Sequence, residues 1–598
     1  MSKYCQNCQN EFIIESDDFE FYNKINVPPP TFCPECRMVR KMMFRNERTL
    51  YKRKCGLCGE NIISIYQSES PYTVYCHKCW WSDKWDPIDY GKNYDFNKSF
   101  FEQWNELNKK VPKIALWNNK SVNSDYCNQS VENKNCYMCF SIAYCEDCAY
   151  ISTNTMYNKN CIDTYRASRN ELCYETINCF GCYNLKFSQD SENCLNSSFL
   201  NRCKNCSNCL GGINLRNKSY FLLNKELGKK DFDQALREID LGSFNNLFKF
   251  KEKVNELYSK NVYKFCDLSK CVNVSGDVVR NSRNAKHCFY AYDVEDSKYL
   301  ALIANGGTKD CYDSTHTYKG AERVYESSSV GDGAKNIFFS LTIIFSNYDI
   351  YYSFNCNNCS NLFGCVDLKH KQYCILNKQY AKEQYEELIP KIIENMNKMP
   401  YTDKKGRIYG YGEFFPQELS PFAYNETIAQ EYFPLTKEQA IEQGYNWKDP
   451  ETKNYRITLK TEQIPDHIKD IDDSIIDQVI QCSHYDLNKQ QTTCNEQCST
   501  AFKIIPKELE FYRKMNLPVP RLCPNCRHYQ RVKQRNPLKL WHRQCQCAGK
   551  QSDNKIYTNT ITHTHHGTEH CPSEFETTYA PERQEIVYCE KCYQEEVA

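Results

Sequence analysis

At 598 residues the chain is long enough for three or four domains, and its 76 basic and 75 acidic side chains leave no net field to steer a partner. A mean hydropathy of -0.73 is set against 14% aromatic residues, which excludes wholesale disorder. No run approaches the ~20 apolar residues of a membrane span; the best, Phe338 to Phe345, reads as a buried strand, so no membrane partner is expected.

Thirty-nine cysteines set the class. The opening Met1-Ser2-Lys3-Tyr4-Cys5 carries no apolar leader, the chain is long for a disulfide scaffold, and many cysteines stand as Cys-x-x-Cys pairs. That spacing places two thiolates on one tetrahedral zinc at about 2.3 Å. A cytoplasmic, zinc-binding protein is therefore expected rather than a secreted one.

The first region, 1–95, pairs Cys5 and Cys8 with Cys33 and Cys36, then Cys55 and Cys58 with Cys76 and Cys79. Both sets are closed tetrahedra, hence structural. Between them lie Arg37, Arg40, Lys41, Arg45, Arg48, Lys52, Arg53 and Lys54, opposed only by Glu47, with Tyr51 interleaved. Cations with stacking aromatics are a nucleic-acid footprint. The competing reading pairs these arginines with acidic groups inside the molecule, for example Asp466, Asp470, Asp472, Asp473 and Asp477.

The middle, 120–260 and 261–399, holds 21 cysteines and a second duplication. Cys203 to Lys225 matches Cys356 to Lys378 at 12 of 23 positions, and each copy runs into a helical pattern. After the second copy this comprises Tyr385, Leu388, Ile389, Ile392, Ile393 and Met396, with Pro390 opening a new turn or kinking it. Asn-Cys dipeptides ending at Cys161, Cys179, Cys194 and Cys209 recur at intervals of 18, 15 and 15. Short rungs with small residues stacked at equivalent turns suggest a β-solenoid in two similar halves. Its cysteines read either as a column of buried thiols or as further zinc knuckles such as Cys136/Cys139, Cys145/Cys148, Cys179/Cys182 and Cys203/Cys206. The thiol column is favoured, because Tyr312 to Asn355 keeps the rung texture without any cysteine. Residues 400–481 read as a linking α/β segment, with Thr436 capping a short helix that ends at Gly444.

The last region, 482–598, repeats the first. Phe502 to Arg527 matches Phe12 to Arg37 at 13 of 26 positions. Sites at Cys494/Cys498/Cys523/Cys526 and Cys545/Cys547/Cys589/Cys592 follow, giving about four structural zinc ions, with the irregular spacings of Cys494–Cys498 and Cys545–Cys547 as departures. The basic stretch recurs as Arg527, Arg531, Lys533, Arg535, Lys539 and Arg543, with Tyr529 and Trp541 among them. His563, His565, His566, His570 and Cys571 form a further candidate metal cluster, with Glu569 or Glu574 as a base if it were catalytic, and Cys482 and His484 as possible additions.

These regions resemble zinc-ribbon or treble-clef modules. Through Cys523-Pro524-Asn525-Cys526-Arg527-His528-Tyr529 and Tyr373-Cys374-Ile375-Leu376-Asn377-Lys378, most of the chain also resembles uncharacterised cysteine-rich proteins of ultra-small, uncultured candidate-phylum bacteria. The resemblance implies no activity. Phosphate loops, dinucleotide fingerprints and hydrolase motifs are absent from the sequence. The expectation is a mainly β, non-catalytic binding protein. It would contact RNA or DNA through 37–54 and 527–544, including Arg37, Arg40, Lys41, Arg45, Arg48, Arg527, Arg531, Lys533, Arg535 and Trp541. The rival is a scaffold that binds protein through the solenoid face, and a metal-dependent enzyme at His563–Cys571 is a third class.

Overall fold

A computed structural model describes residues 1–304, 306–449, 455–486, 489, 491–494 and 497–597. The chain divides into two compact units, and neither is contiguous. One joins Met1–Trp117 to Cys266–Lys448; the other joins Asn118–Phe265 to Asp449–Ala598. Each unit thus combines a terminal cysteine module with the half of the middle more distant from it in sequence.

In the second unit the middle segment pairs with itself in parallel, in steps of one turn. Asn128 lies beside Phe140, Tyr183 beside Leu195 and Ser198 beside Leu210, each partner twelve residues on. Bridges such as Lys134–Glu146 and Glu192–Lys204 continue that register on other sides of the turn. The backbone device behind it is a left-handed residue at every third position: Asn160, Asp163, Arg166, Arg169, Leu172, Glu175 and Asn178 all have φ between 47° and 56°. Asn and Asp tolerate this conformation best. Leucine and arginine do so only because pairing to the turns above and below holds them.

The residue after each left-handed corner turns inward, which is where Cys161, Cys173, Cys179, Cys194 and Cys209 sit, all buried. Their thiols donate to main-chain carbonyls inside the coil. Cys161 reaches the oxygens of Lys159 (3.3 Å) and Asn170 (3.6 Å), and Cys194 those of Glu192 (3.4 Å) and Cys203 (3.6 Å). The dipeptide intervals of 18, 15 and 15 are multiples of this three-residue side. One thirteen-residue step, seen at Glu146–Lys159 and Ala149–Ile162, shifts the phase between the turns before and after it.

The first unit builds the same kind of stack with turns of unequal length, from Val272–Arg283 through Arg283–Glu295 to Tyr312–Tyr325 and Lys335–Tyr348. In its cysteine-free stretch serine does the thiol's work. Ser327, Ser340 and Ser353 donate to the carbonyls of Tyr325, Phe338 and Tyr351 at 2.8–2.9 Å, two residues back in each case. A residue exchangeable with serine here acts as a small buried donor. The stack is closed by the helix Lys382–Lys398, which runs through Pro390 and buries Tyr385, Ile392 and Met396. Two helices, Lys229–Ile239 and Phe244–Ser259, close the stack of the second unit against Phe199 and Leu210.

Each terminal module begins with a two-stranded hairpin, then a helix (Ser16–Lys24 or Pro506–Lys514), then a second helix opened by Cys-Pro-x-Cys (Pro34–Met42 or Pro524–Lys533). Pro34 and Pro524 occupy the first helical turn, where a missing N–H costs nothing. Aromatic side chains seat the first helix on its stack. Phe21 stacks on Tyr312 at 3.9 Å between centroids, and Tyr512 meets Tyr174 edge-on at 5.7 Å.

Candidate metal centres

Among the described residues, at least four tetra-cysteine clusters have all their sulfurs within 4.8 Å of one another and could hold metal ions such as zinc. Two are those expected: Cys5/Cys8/Cys33/Cys36 and Cys55/Cys58/Cys76/Cys79. A tetrahedral zinc with thiolates at about 2.3 Å sets its sulfurs about 3.8 Å apart, and Cys8 and Cys33 are separated by 3.8 Å. Burial opposes ionisation at Cys55, but N–H groups of Cys58, Cys76 and Leu57 bring its thiol down to about 6, favouring the metal-binding thiolate.

The other two clusters correct the sequence assignment. The third is Cys482/Cys498/Cys523/Cys526, with Cys482 in place of Cys494. The hairpin explains why. Ile480 pairs with Phe502 as Lys3 pairs with Phe12, and two residues further along lie Cys482 and Cys5 respectively. The next contact repeats as well: Cys523 N–H donates to Cys482 Sγ at 3.2 Å, as Cys33 N–H does to Cys5 Sγ at 3.3 Å. An insertion has split the Cys-x-x-Cys knuckle. Cys494 stands beside the cluster, 3.8 Å from Cys526 Sγ.

The fourth cluster is Cys545/Cys571/Cys589/Cys592, with Cys571 in place of Cys547. Cys589 N–H donates to Cys545 Sγ at 3.2 Å, matching Cys76 to Cys55 at 3.3 Å, so this module too keeps its geometry across an insertion. Cys547 lies instead with His563, His566 and Cys592 in a further group of four possible ligands. His565 borders the all-cysteine cluster, and His570 turns away to Asp553 at 2.8 Å. Cys482 therefore belongs to the third site and not to the histidine cluster.

The basic stretches are not laid out toward a ligand. Arg37 is buried on Asp313 (2.9 Å), Arg40 bridges Glu326 (2.7 Å) and Glu413 (3.0 Å), and Lys41 approaches Glu326 at 3.3 Å. Arg45 pairs with buried Glu47, and Arg48 reaches Glu431 at 3.8 Å. In the second unit Arg527 and Arg531 both meet Asp163 at 2.8 Å, and Arg527 approaches Glu508 at 3.4 Å. These seven residues were expected to face phosphates; they are instead buried or largely buried ion-pair members. Their acidic partners are Asp163, Glu508, Asp313, Glu326, Glu413, Glu47 and Glu431, none of them among the aspartates of 466–477. Desolvation makes an unpaired buried cation prohibitive, and the coil stacks supply three of the seven compensating carboxylates, Asp163, Asp313 and Glu326. Of the remaining candidates, Arg535 is half-buried over Tyr165 (5.9 Å), Trp541 is half-buried with the Lys539 ammonium 5.7 Å from its ring, and Lys533 is exposed.

No protein-family profile matches the chain, and no curated protein matches it. Among solved structures, one named as a putative acetyltransferase from Desulfovibrio desulfuricans G20 is similar over 49% of this chain and 77% of that one, at 9% identity. Its TM-score of 0.10 carries no argument about fold or activity. No helix among the described residues is long and apolar enough to cross a membrane.

Proposed function

We propose that the chain is a non-catalytic, zinc-clamped scaffold in which two β-solenoids are each locked by a terminal cysteine module. The observation that carries this reading is the burial of Arg37, Arg40, Lys41, Arg527 and Arg531 against carboxylates of their own unit. Residues that would have gripped a nucleic-acid backbone are used to fasten module to stack. Thiols kept for metal and for carbonyl donation suit a reducing, cytoplasmic compartment, and the coil faces are left to meet protein partners.

Fluorescence anisotropy with single-stranded RNA and duplex DNA tests the proposal. The expected result is no binding at physiological salt beyond a weak component. Tight binding that falls steeply with salt and is lost on reversing Lys533, Arg535 and Lys539 would overturn it in favour of nucleic-acid contact.

A further inference from the structure

The insertion that splits the last knuckle does more than lengthen a loop. Between Cys545 and Cys571 it carries Cys547, His563 and His566, none of which has a counterpart between Cys55 and Cys58 of the first module. In the folded protein Cys547 Sγ lies 3.3 Å from His563 Nδ1, His563 Nδ1 lies 3.1 Å from His566 Nε2, and His566 Nε2 lies 3.3 Å from Cys592 Sγ. A tetrahedral zinc with two nitrogens and two sulfurs sets such edges at about 3.3–3.6 Å, so these atoms stand within a few tenths of an ångström of a ligand set.

A second, independent observation points the same way. His563 is fully buried, and its other ring nitrogen, Nε2, meets the equally buried carboxylate of Glu596 at 3.0 Å. A carboxylate behind a histidine fixes which nitrogen faces the metal and raises its basicity. The same buried carboxylate takes the main-chain N–H and the hydroxyl of Thr560 (both 2.9 Å), which holds it in place behind the ring.

Cys592 belongs to both ligand sets. Its sulfur is 3.8 Å from Cys545 Sγ in the all-cysteine cluster. We propose that the C-terminal module holds two zinc-type divalent ions that share the Cys592 thiolate, one ligated by Cys545, Cys571 and Cys589, the other by Cys547, His563 and His566. This rests on the reading that the cysteine clusters hold metal, and it adds a fifth ion to the four closed sites. Both ions are four-coordinate, so the centre is a cross-brace of the insertion and offers no open position to a substrate.

Metal analysis of the intact chain should return five ions, and native mass spectrometry of His563→Ala/His566→Ala should return four with the protein still folded. In cadmium-113-substituted protein, two resonances should be mutually split through the shared sulfur, and the splitting should vanish in the double variant. Four ions in the unaltered chain would overturn the proposal while leaving the four cysteine sites standing; fewer than four would sink the metal reading itself. Five ions without cadmium–cadmium splitting would overturn the shared thiolate, with His565, 3.5 Å from both Cys571 and Cys592, as the ligand that frees Cys592. Glu596→Gln, which should fold, is expected to weaken the fifth ion by about 10–100-fold and leave the other four unchanged.

Discussion

Arg37 meets Asp313 in one unit and Arg527 meets Asp163 in the other, at 2.9 and 2.8 Å, and the two arginines are the same position of the duplicated module. Both aspartates sit at left-handed corners of a coil. Around this shared contact the units diverge. The first surrounds it with Arg40, Lys41, Glu326 and Glu413, so each charge has several neighbours. The second sets Arg531 and Glu508 beside Arg527 and Asp163, a smaller group. The knuckles diverge in the opposite sense: compact in the first unit, split by insertions in the second, where extra ligands accumulate. Duplication has kept the fastening and let the periphery drift.

The sharpest test of that equivalence is at the split knuckle. Cys482→Ser should remove one metal ion per chain and unfold the third site, a loss of several kcal/mol out of the ~10–16 kcal/mol that structural zinc contributes to finger peptides. Cys494→Ser should leave the metal count unchanged. Metal analysis of both variants decides it; the reverse pattern would break the correspondence between Cys482 and Cys5.

Next in size is the buried contact. Arg527→Met takes one of two cations from Asp163 and strips Glu508 of its arginine, and should cost about 3–5 kcal/mol in chemical denaturation. Arg37→Met should cost at least as much: Lys41 and Arg40 remain at Glu326, but buried Asp313 loses the cation it pairs with, whereas Asp163 keeps Arg531. A clearly smaller loss for Arg37→Met would mean that the richer network of the first unit confers redundancy.

The smaller effects compare solvent and thiol chemistry. Cys194→Ser should cost about 1 kcal/mol or less, since serine already fills such positions at Ser327, Ser340 and Ser353; loss of a metal ion in this variant would instead revive the zinc-knuckle reading of the coil. The pH profiles of Glu326→Gln and Glu508→Gln should slope in opposite directions. Burial pushes Glu326 up, yet Lys41, Arg40 and Arg37 outweigh it and hold the carboxyl below its ordinary value. Its contribution is full above the unfolded pKa of about 4.3 and is lost as pH falls through the depressed folded value. Burial dominates at Glu508 and raises it despite Arg527. There, stability declines as pH rises from about 4.3 through the raised folded value. The penalty of Glu326→Gln should thus shrink on acidification, and that of Glu508→Gln should shrink as pH rises.

Sequence carried the duplication and two cysteine sites in full, because in the first module the ligands are three residues apart and no insertion intervenes. It hid Cys482 and Cys571 because their equivalence to Cys5 and Cys58 is a matter of strand register, and an insertion erases register from the sequence. The three-residue side was present in the Asn-Cys intervals, but 18 and 15 are not multiples of twelve, because successive dipeptides fall on different sides of the turn, and that hid the twelve-residue repeat. The basic stretches misled for a different reason. Composition reports charge and not burial, and Asp313 and Asp163, which receive Arg37 and Arg527, lie hundreds of residues away.

The crossed assembly of the units has a consequence for synthesis. Asp163 and its coil leave the ribosome hundreds of residues before Arg527 and Arg531, the arginines that neutralise that aspartate. The coil must wait through several hundred residues with a carboxylate at its wall still open to water, and the first module waits in turn for Asp313 and Glu326. Neither unit can be finished from its first segment alone: one needs Cys266–Lys448 and the other Asp449–Ala598.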